Sequence, residues 1–295
     1  MKPDSMPPLH ILFAVLTTML WGLNFPVVKL GLTELPPFLF SALRFLGLFV
    51  LVMPWLRWRR GRMRPIITVA LVLGPLHFGL VFLGMDLIQD GSVAAITAQL
   101  SVPFSTLLGF LVLGERIRLW RVVGIALAFA GVMVMMFEPK VFQDWLGVLL
   151  LAASAFFYAV SAILLRRGGN FGVFELHGVM AVVSLPMFLG LSYIFESGQG
   201  AALAGLSGRG YLMLAYTIVG ASVVGHGMSY FLLQRNPVSS VTPYFLLTPI
   251  FGVFFSVIVL NETLTMRMIA GALVTFCGIA LVTFRERQRA LQKGY

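Results

Sequence analysis

Long runs of apolar residues, separated by short polar connections, extend along almost the whole chain. Each run has about the 20 residues that an α-helix needs to cross a bilayer. Ten runs can be marked, near residues 9–29, 37–56, 66–88, 92–113, 119–137, 146–165, 173–195, 210–233, 238–260 and 266–284. The alternating segments of about ten residues that are typical of a membrane β-barrel do not occur. The pattern therefore predicts an all-α integral membrane protein with ten transmembrane helices.

The composition supports the same class of protein. Of the 295 residues, 59% are hydrophobic and only 11% are charged, whereas a soluble domain carries about 25% charged residues. Residues 9–28 are too long and too apolar for the core of a signal peptide, so we interpret them as the first spanning helix. The single cysteine, Cys277, lies inside an apolar run. We expect it to be a small buried residue without a disulfide or redox role.

Lysine and arginine are concentrated at one end of the predicted bundle. With the N-terminus placed in the cytoplasm, most of them fall at cytoplasmic ends; the exceptions are Lys29, Lys140, Arg209 and Arg267 outside, and Arg44 within helix 2. Cytoplasmic loops of membrane proteins carry such an excess. We therefore predict a multi-pass membrane protein with an even number of spans and both termini cytoplasmic. The same bias explains the net charge of +10 without a nucleic-acid partner.

One stretch of the chain occurs twice. Residues 93–131 contain an apolar helix, a short acidic turn and a second apolar helix, and residues 240–278 repeat this design. The pairs that share one constant separation are Glu115 and Glu262, Gly124 and Gly271, and Gly131 and Gly278, while Pro249 falls one residue short of that register against Pro103. A repeat of this length indicates an internal duplication.

The duplication predicts two halves of opposite orientation. Residues 1–140 form the first repeat, with helices 1 to 5, and residues 141–295 form the second, with helices 6 to 10. Because each half has an odd number of spans, the second enters the membrane from the opposite face. Such inverted repeats are typical of transporters, whose substrate sites lie between the halves near mid-membrane. The longest connection, residues 196–208, is rich in Gly, Ala and Ser, and we predict a flexible external loop.

Short motifs in both halves resemble those of the EamA-type members of the drug/metabolite transporter superfamily. They are Trp21-Gly22-Leu23-Asn24-Phe25 with Lys29, Ala42-Leu43-Arg44-Phe45, Gly114-Glu115-Arg116 with Gly124 and Gly131, Gly225-His226-Gly227, Pro249, Asn261-Glu262-Thr263-Leu264 and Gly271. The resemblance extends over nearly the whole chain. It implies two inverted EamA repeats, a cavity lined mainly by helices 1, 3, 4, 6, 8 and 9, and export of small metabolites. The nearest likeness is to bacterial exporters of aromatic amino acids and of cysteine metabolites.

The chain departs from the family pattern in two places. Asn261 stands where a glycine is usual, and the part of helix 6 that corresponds to Trp21, around Tyr158, holds no tryptophan. The second departure indicates that the two halves line the path differently.

Polar groups within the spans need partners or a wet cavity, so the few that are present are candidates for the substrate site. His77 and His226 lie midway in the corresponding helices 3 and 8, where each either lines a central path or only bonds a neighbouring carbonyl. Asn24 and Gln99 suit a zwitterionic ligand or serve as interhelical contacts. Aromatic side chains nearby would form an apolar pocket. The predicted substrate-binding residues are Trp21, Asn24, His77, Phe78, Phe82, Gln99, Tyr158, His226, Tyr230 and Tyr244.

Several other residues have structural interpretations beside the functional ones. Arg44 could bind a carboxylate, or it could snorkel or pair with a carbonyl. Glu115 and Glu262 fit caps that fix their hairpins better than they fit proton carriers. Pro103 and Pro249 interrupt matching helices and are predicted hinges, although tolerated kinks would give the same pattern. The glycines of helices 5 and 10 predict a closely packed scaffold.

No Walker loop, G-x-S-x-G or H-E-x-x-H motif and no metal-ligand cluster occurs in the sequence, so we predict no cofactor, no metal site and no enzyme. No acidic residue lies at the middle of a predicted span, which favours facilitated transport or exchange over proton antiport. The prediction is an inner-membrane transporter that exports small metabolites by alternating access. Amino acids, including aromatic or sulfur-containing ones, are the expected substrates.

Three alternatives stay open at this point. The chain could export drugs, sugars or nucleotide derivatives, act as an intramembrane enzyme that uses His77 or His226, or serve as a scaffold or receptor without transport. The expected partners are a small-molecule substrate and the lipid bilayer. The oligomeric state is unknown, and a monomer is possible.

Overall fold

The protein is a bundle of long helices. The computed structural model describes residues 6–56, 61, 63–113, 119–168, 172–235, 241, 244–245 and 247–292. Within these ranges there is no β-strand. The all-α class predicted from the apolar pattern is confirmed.

The described residues contain ten long helical segments, numbered α1 to α10 in chain order. They are α1 Pro8–Gly31, α2 Pro37–Trp55, α3 Met63–Leu87, α4 Gly91–Val112, α5 Leu119–Met136, α6 Trp145–Gly168, α7 Val173–Phe195, α8 Gly208–Ser229, α9 Leu247–Leu260 and α10 Met266–Gln292. Seven of them are long and apolar enough to cross a membrane, and α5, α9 and α10 contain shorter apolar helices. Short helices, Pro139–Gln143 and Gln199–Ala204, lie in two of the connections.

Two spans change helical type at corresponding places. α3 contains the π-helical segment Val72–Phe78, which holds His77 near its end, and α8 contains Tyr216–Gly225, which ends immediately before His226. Short π segments inside α-helices are frequent at functional sites. Both halves therefore place a histidine where a helix changes its winding.

The predicted interruption of α4 is present. A 3-10 turn, Ala98–Leu100, precedes the segment Ser101–Leu113, of which Pro103 is the third residue. A proline crowds the carbonyl four residues earlier and lacks the N–H that would bond it, which accounts for the break. Pro249 is likewise the third residue of α9. The hinge role of both prolines stays a prediction.

α5 and α10 pack along each other in opposite directions. A Cβ added to Gly131 would lie 2.5 Å from the Gly271 carbonyl oxygen, and one added to Gly278 would lie 2.6 Å from the Gly124 carbonyl oxygen. Residue numbers rise along one helix as they fall along the other, so the pair is antiparallel. Only glycine allows backbones this close. The close packing predicted from these glycines is confirmed.

The other helix contacts follow the same two-fold relation. α2 packs on its counterpart α7, where Phe45 stacks on Phe188 and Phe38 lies near Phe195, again antiparallel. α1 packs on α8 and α9, and its counterpart α6 packs on α3 and α4. Helices that run antiparallel to their own counterparts require a two-fold axis across the bundle. The halves are therefore inverted, while the boundary at residue 140 stays a prediction.

The connection between α7 and α8 differs from the flexible loop that was predicted. It contains the helix Gln199–Ala204 and is held by acidic side chains. The Phe38 N–H donates to Glu196 at 2.6 Å, and the Ser207 N–H donates to Glu34 at 2.9 Å. The prediction was wrong because the local composition does not show that anchoring partners lie elsewhere in the chain.

Two further predictions concern the surface. Cys277, which was expected to be buried, is exposed on α10; a helix at the edge of a bundle presents such residues outward. Glu115 and half of the basic residues assigned to the cytoplasmic ends lie outside the described residues. The orientation in the membrane therefore stays a prediction.

Candidate substrate site

Arg44 lies inside the bundle on α2 and is only 4% exposed. Its Nε and Nη2 groups donate to the hydroxyl oxygen of Ser222 on α8, at 3.3 and 3.0 Å. Its guanidinium carbon lies 4.0 Å from the ring centroid of Phe78 on α3, which is a cation–π distance. Three helices from both halves therefore meet at this side chain.

The π-helical segment of α8 fixes the orientation of Ser222. The Ser222 hydroxyl donates to the carbonyl oxygen of Thr217, at 2.8 Å and five residues earlier. With its hydrogen used in this bond, the Ser222 oxygen presents its lone pairs to Arg44. The local winding of α8 and the position of the buried arginine are thus linked.

His77 faces α6. Its Nδ1 lies 2.9 Å from the Ser154 carbonyl oxygen, and its ring centroid lies 5.3 Å from that of Tyr158. Because a carbonyl oxygen only accepts, we assign the hydrogen to Nδ1, which leaves Nε2 of a neutral ring as an acceptor. The hydrogen bond to a neighbouring carbonyl, one of the two roles considered for His77 from the sequence, therefore uses Nδ1. It leaves Nε2 available as an acceptor.

His226 faces α1 and α7. Its ring centroid lies 5.1 Å from that of Trp21 and 5.0 Å from that of His177. Trp21 is itself fixed, because its Nε1 donates to the Ala221 carbonyl oxygen at 3.2 Å. His177 directs Nδ1 to the Val173 carbonyl oxygen at 2.8 Å, so this ring also leaves Nε2 as an acceptor.

The two predicted histidines occupy equivalent surroundings. Trp21 and Tyr158 hold the same position in α1 and α6, which are both 24 residues long. Trp21 packs on His226 and Tyr158 packs on His77. The two-fold relation therefore extends to the interior, but one half supplies an indole where the other supplies a phenol.

The interior carries an excess of basic groups. His77, His177 and His226 each interact electrostatically with Arg44, so the four side chains belong to one region, which we call the basic cluster. Across the residues that the structure describes, no carboxylate interacts with Arg44. A buried charge without a counter-ion is unfavourable, and an anionic ligand would compensate it.

Three other predicted residues are at least partly buried, and one of them, Phe82, adjoins the basic cluster. Phe82 is buried next to Phe78, at a centroid distance of 6.3 Å. Asn24 on α1 has a buried Oδ1 that accepts no hydrogen bond from the described residues. Gln99 is half-buried in the 3-10 turn of α4, which packs on α6.

Of the remaining two predicted residues, only Tyr244 has a described side chain, and it packs away from the basic cluster. Tyr244 packs in a separate apolar cluster with Met6 and Ala14, at the start of α1. Ala14 lies about two helical turns from Trp21. The side chain of Tyr230 lies outside the described residues.

Sequence reasoning missed Ser154, His177 and Ser222. A single serine in an apolar helix usually indicates a helix–helix contact, so the two serines gave no specific signal. His177 did carry a specific signal, because a histidine inside a membrane-spanning helix is a functional candidate.

A second polar cluster joins the two halves at one end of the bundle. The Glu262 carboxylate, between α9 and α10, accepts the N–H of Gly91 at 2.5 Å, the N–H of Ser92 at 3.1 Å and the Ser92 hydroxyl. These groups begin α4, where N–H groups lack helical partners. We call this arrangement the α4 clamp. Glu262 is a cap, as predicted, but for a helix of the other half rather than for its own hairpin.

Two carboxyl groups at this end of the bundle have pKa values that are shifted in opposite directions. Burial raises the pKa of Glu262, although the bonds from Ser92 oppose this effect. Hydrogen bonds from Ser207 lower the pKa of the exposed Glu34. Nearby, Lys140 pairs with Asp90 at 2.8 Å. The described connections at this end are thus tied together by charged groups.

In the part of the chain that the structure describes, no three His, Cys, Asp or Glu side chains are placed to hold a metal ion. The interior instead combines a guanidinium donor, imidazole acceptors and aromatic faces. Such a set suits the reversible binding of a small polar molecule.

Comparison with known proteins gives a consistent result. The model of the EamA-like transporter family matches residues 8–137 and again residues 145–284. A Salmonella typhimurium protein named "Probable amino-acid metabolite efflux pump" is 30% identical over 291 residues, which cover 94% of this chain and 95% of the relative.

An Escherichia coli protein of the same name is 27% identical over 288 residues, covering 95% of this chain and 96% of the relative. A solved crystal structure with 17% sequence identity covers 95% of this chain and 98% of its own, with a TM-score of 0.63. The last comparison supports the fold alone.

Proposed function

Because the chain belongs to the EamA-like transporter family, we propose that it exports amino acids across a bacterial inner membrane by alternating access. Family and relatives make it a small-molecule exporter of the membrane. The proposal adds the substrate class and the mechanism.

The basic cluster is the observation that carries this proposal. An amino acid presents a carboxylate, an ammonium group and a side chain within a few ångströms. Arg44 offers donors, and the free Nε2 atoms of His77 and His177 offer acceptors when those rings are neutral. A site with both kinds of group suits a zwitterion better than it suits a cation or an uncharged sugar.

Aromatic rings beside the cluster support the inclusion of aromatic and sulfur-containing substrates. Trp21, Phe78 and Tyr158 each lie next to a member of the cluster. Their faces favour stacking with aromatic side chains and contacts with sulfur. The relatives named for amino-acid metabolites support the same class.

The inverted halves supply the mechanism. In proteins of this design the halves rock around a fixed central site, so that the site opens to one side and then to the other. The α4 clamp, which links Glu262 to Ser92 across the halves, holds one end together in the described state. Opening would break these bonds, with Pro103 and Pro249 as the expected hinges.

The direct test is counterflow of radiolabelled amino acids in proteoliposomes. We expect uptake several-fold above protein-free liposomes for a subset of the panel. His77→Ala should reduce it, whereas His10→Ala, a histidine outside the basic cluster, should not. Rates equal to those of protein-free liposomes for every amino acid would contradict the proposal. The same panel, extended to drugs, sugars and nucleotide derivatives, separates the alternative substrate classes.

A further inference from the structure

Two cations inside the helices have very different surroundings. Lys29, near the end of α1, donates to the Met85 carbonyl oxygen at 2.8 Å and interacts electrostatically with several carboxylates, Asp86 the strongest among them. Arg44 is far more buried, and its hydrogen-bonding partner among the described residues is the neutral hydroxyl of Ser222. The described residues therefore compensate the charge of Lys29 but not that of Arg44.

The guanidinium of Arg44 is also only partly used. Nε and Nη2 donate to Ser222, while Nη1 donates to none of the described residues. Phe78 covers one face of the group at 4.0 Å, which restrains its plane without consuming a donor. An arginine held in this way keeps part of its planar fork for a ligand, and the fork matches the two oxygens of a carboxylate.

We propose that Arg44 binds the carboxylate of the transported molecule, and that Ser222 and Phe78 are positioning residues that hold the guanidinium for it. This rests on the proposed function, because it names the part of the substrate that the site recognises. The free carboxylate is then a requirement for substrates. Compounds that carry the same amine and side chain without it are excluded.

The imidazoles around Arg44 fit the same arrangement. A bound carboxylate would pair with the charge of Arg44, which acts on the neutral rings of His77, His177 and His226. The Nε2 atoms of His77 and His177, which belong to the same cluster, would then supply acceptors for the ammonium group. The guanidinium of Arg44 then has a counter-ion, which the described residues do not supply.

The test compares matched ligands on purified protein. Each transported amino acid is paired with its α-amide, which replaces the carboxylate by an uncharged group of similar size. Thermal stabilisation in detergent reports binding, and counterflow in proteoliposomes reports transport. We expect the amide to bind at least about tenfold more weakly than the acid, because a hydrogen-bonded charge pair is lost.

Variants assign this difference to Arg44. Arg44→Gln should abolish the preference for the acid over the amide, Arg44→Lys should retain part of it, and Ser222→Ala should raise KM several-fold with little change in maximal rate. Arg235→Gln is the matched control, because Arg235 also lies 4.0 Å from a phenylalanine ring, that of Phe231, but is exposed at the end of the helical segment His226–Arg235 that continues α8. It should leave the preference unchanged. If Arg44→Gln fails to fold, Ser222→Ala still tests the proposal, since it keeps the arginine.

The outcomes separate the two proposals. Equal binding and transport of acid and amide by the unaltered protein would overturn the role of Arg44 while leaving amino-acid export intact. If no amino acid is transported, the proposed function fails, and Arg44 is then tested by stabilisation with acetate, lactate and pyruvate. The inference is overturned as well if none of these carboxylates stabilises the protein, or if the stabilisation persists in Arg44→Gln.

Discussion

At the α5–α10 interface, repeat counterparts make the same contact twice. Gly131 meets Gly271, and their counterparts Gly278 and Gly124 meet in the same way. In the basic cluster the counterparts have diverged: Trp21 packs on His226, but Tyr158 packs on His77. Close contact between two backbones requires glycine at both counterpart positions. A binding site, in contrast, becomes more selective when its two sides carry different side chains. Duplication therefore leaves a symmetric scaffold around an asymmetric interior.

The largest effects are expected at the symmetric interface. Gly131→Ala and Gly278→Ala should each destabilise the protein by about 1–3 kcal/mol or more, because the new Cβ meets backbone atoms that cannot move aside. A Cβ at Gly131 would lie 2.4 Å from the Thr275 nitrogen, and one at Gly278 would lie 2.5 Å from the Ala128 nitrogen. Unfolding in mixed micelles measures the change.

The more specific part of this prediction is that Gly131→Ala and Gly278→Ala destabilise the protein by similar amounts. Gly190→Ala is the control, since no atom lies within 4 Å of the Cβ it would add; an alanine inside a helix stabilises it by up to about 1 kcal/mol. A large loss for one interface glycine and none for its counterpart would contradict the symmetry of the scaffold.

The α4 clamp should give the next largest effect. Glu262→Ala removes the acceptor of two N–H groups and a hydroxyl, and leaving buried donors unpaired costs about 1–3 kcal/mol. We expect a several-fold rise in labelling of Thr97→Cys by an impermeant maleimide. Thr97 is fully buried in α4 and cysteine has nearly its shape. The background is Cys277→Ala, because Cys277 is exposed.

The pH dependence of the clamp has a definite sign. Burial raises the pKa of Glu262 in the closed state, so the closed state binds a proton more tightly than an open, solvated state does. Maleimides react with the thiolate, whose fraction falls with pH for every cysteine, so labelling of Thr97→Cys is divided by that of the exposed Cys277 in a separate sample. This ratio should fall as the pH is lowered through that raised pKa. Glu262→Gln resembles the protonated acid, and it should stay closed and show no such dependence. A ratio that increases on acidification would contradict this account.

A smaller, asymmetric effect is expected at the aromatic counterparts. Trp21→Phe loses the bond from Nε1 to the Ala221 carbonyl oxygen, worth about 1 kcal/mol, and exposes part of His226. Transport should fall several-fold. Tyr158→Phe keeps the ring that packs on His77 and should change the rate less than about twofold. Initial counterflow rates, normalised to the amount of inserted protein, measure both; equal effects would indicate that the interior is as symmetric as the scaffold.

What could be predicted from the sequence also differs between the symmetric scaffold and the basic cluster. The apolar runs and the repeated glycines were enough to predict the helices, their inversion and the close packing of α5 and α10, because these depend on periodicity and on backbone approach; that the two helices pack on each other was not predicted. The site was only partly predictable. His77, Trp21 and His226 could be found as polar or aromatic residues within spans, but Ser222 and His177 acquire their roles only through the fold. No local pattern indicates that α8 winds as a π-helix beside Arg44.

The smallest effect, and the one that tests the pH argument most directly, concerns Glu34. Bonds from the Ser207 N–H and hydroxyl lower the pKa of this exposed carboxyl below its ordinary value of 4.5. A carboxyl with a lowered pKa stabilises the fold above its ordinary value, and this contribution is lost as the pH falls through the lowered one. Glu34→Gln should therefore reduce the Tm slightly near neutral pH and not at all in strong acid. This pH dependence has the opposite sign to the one expected for Glu262, because burial of the Glu262 carboxyl raises its pKa. A difference in Tm between the unaltered protein and Glu34→Gln that grows on acidification would show that Ser207 does not favour the charged form.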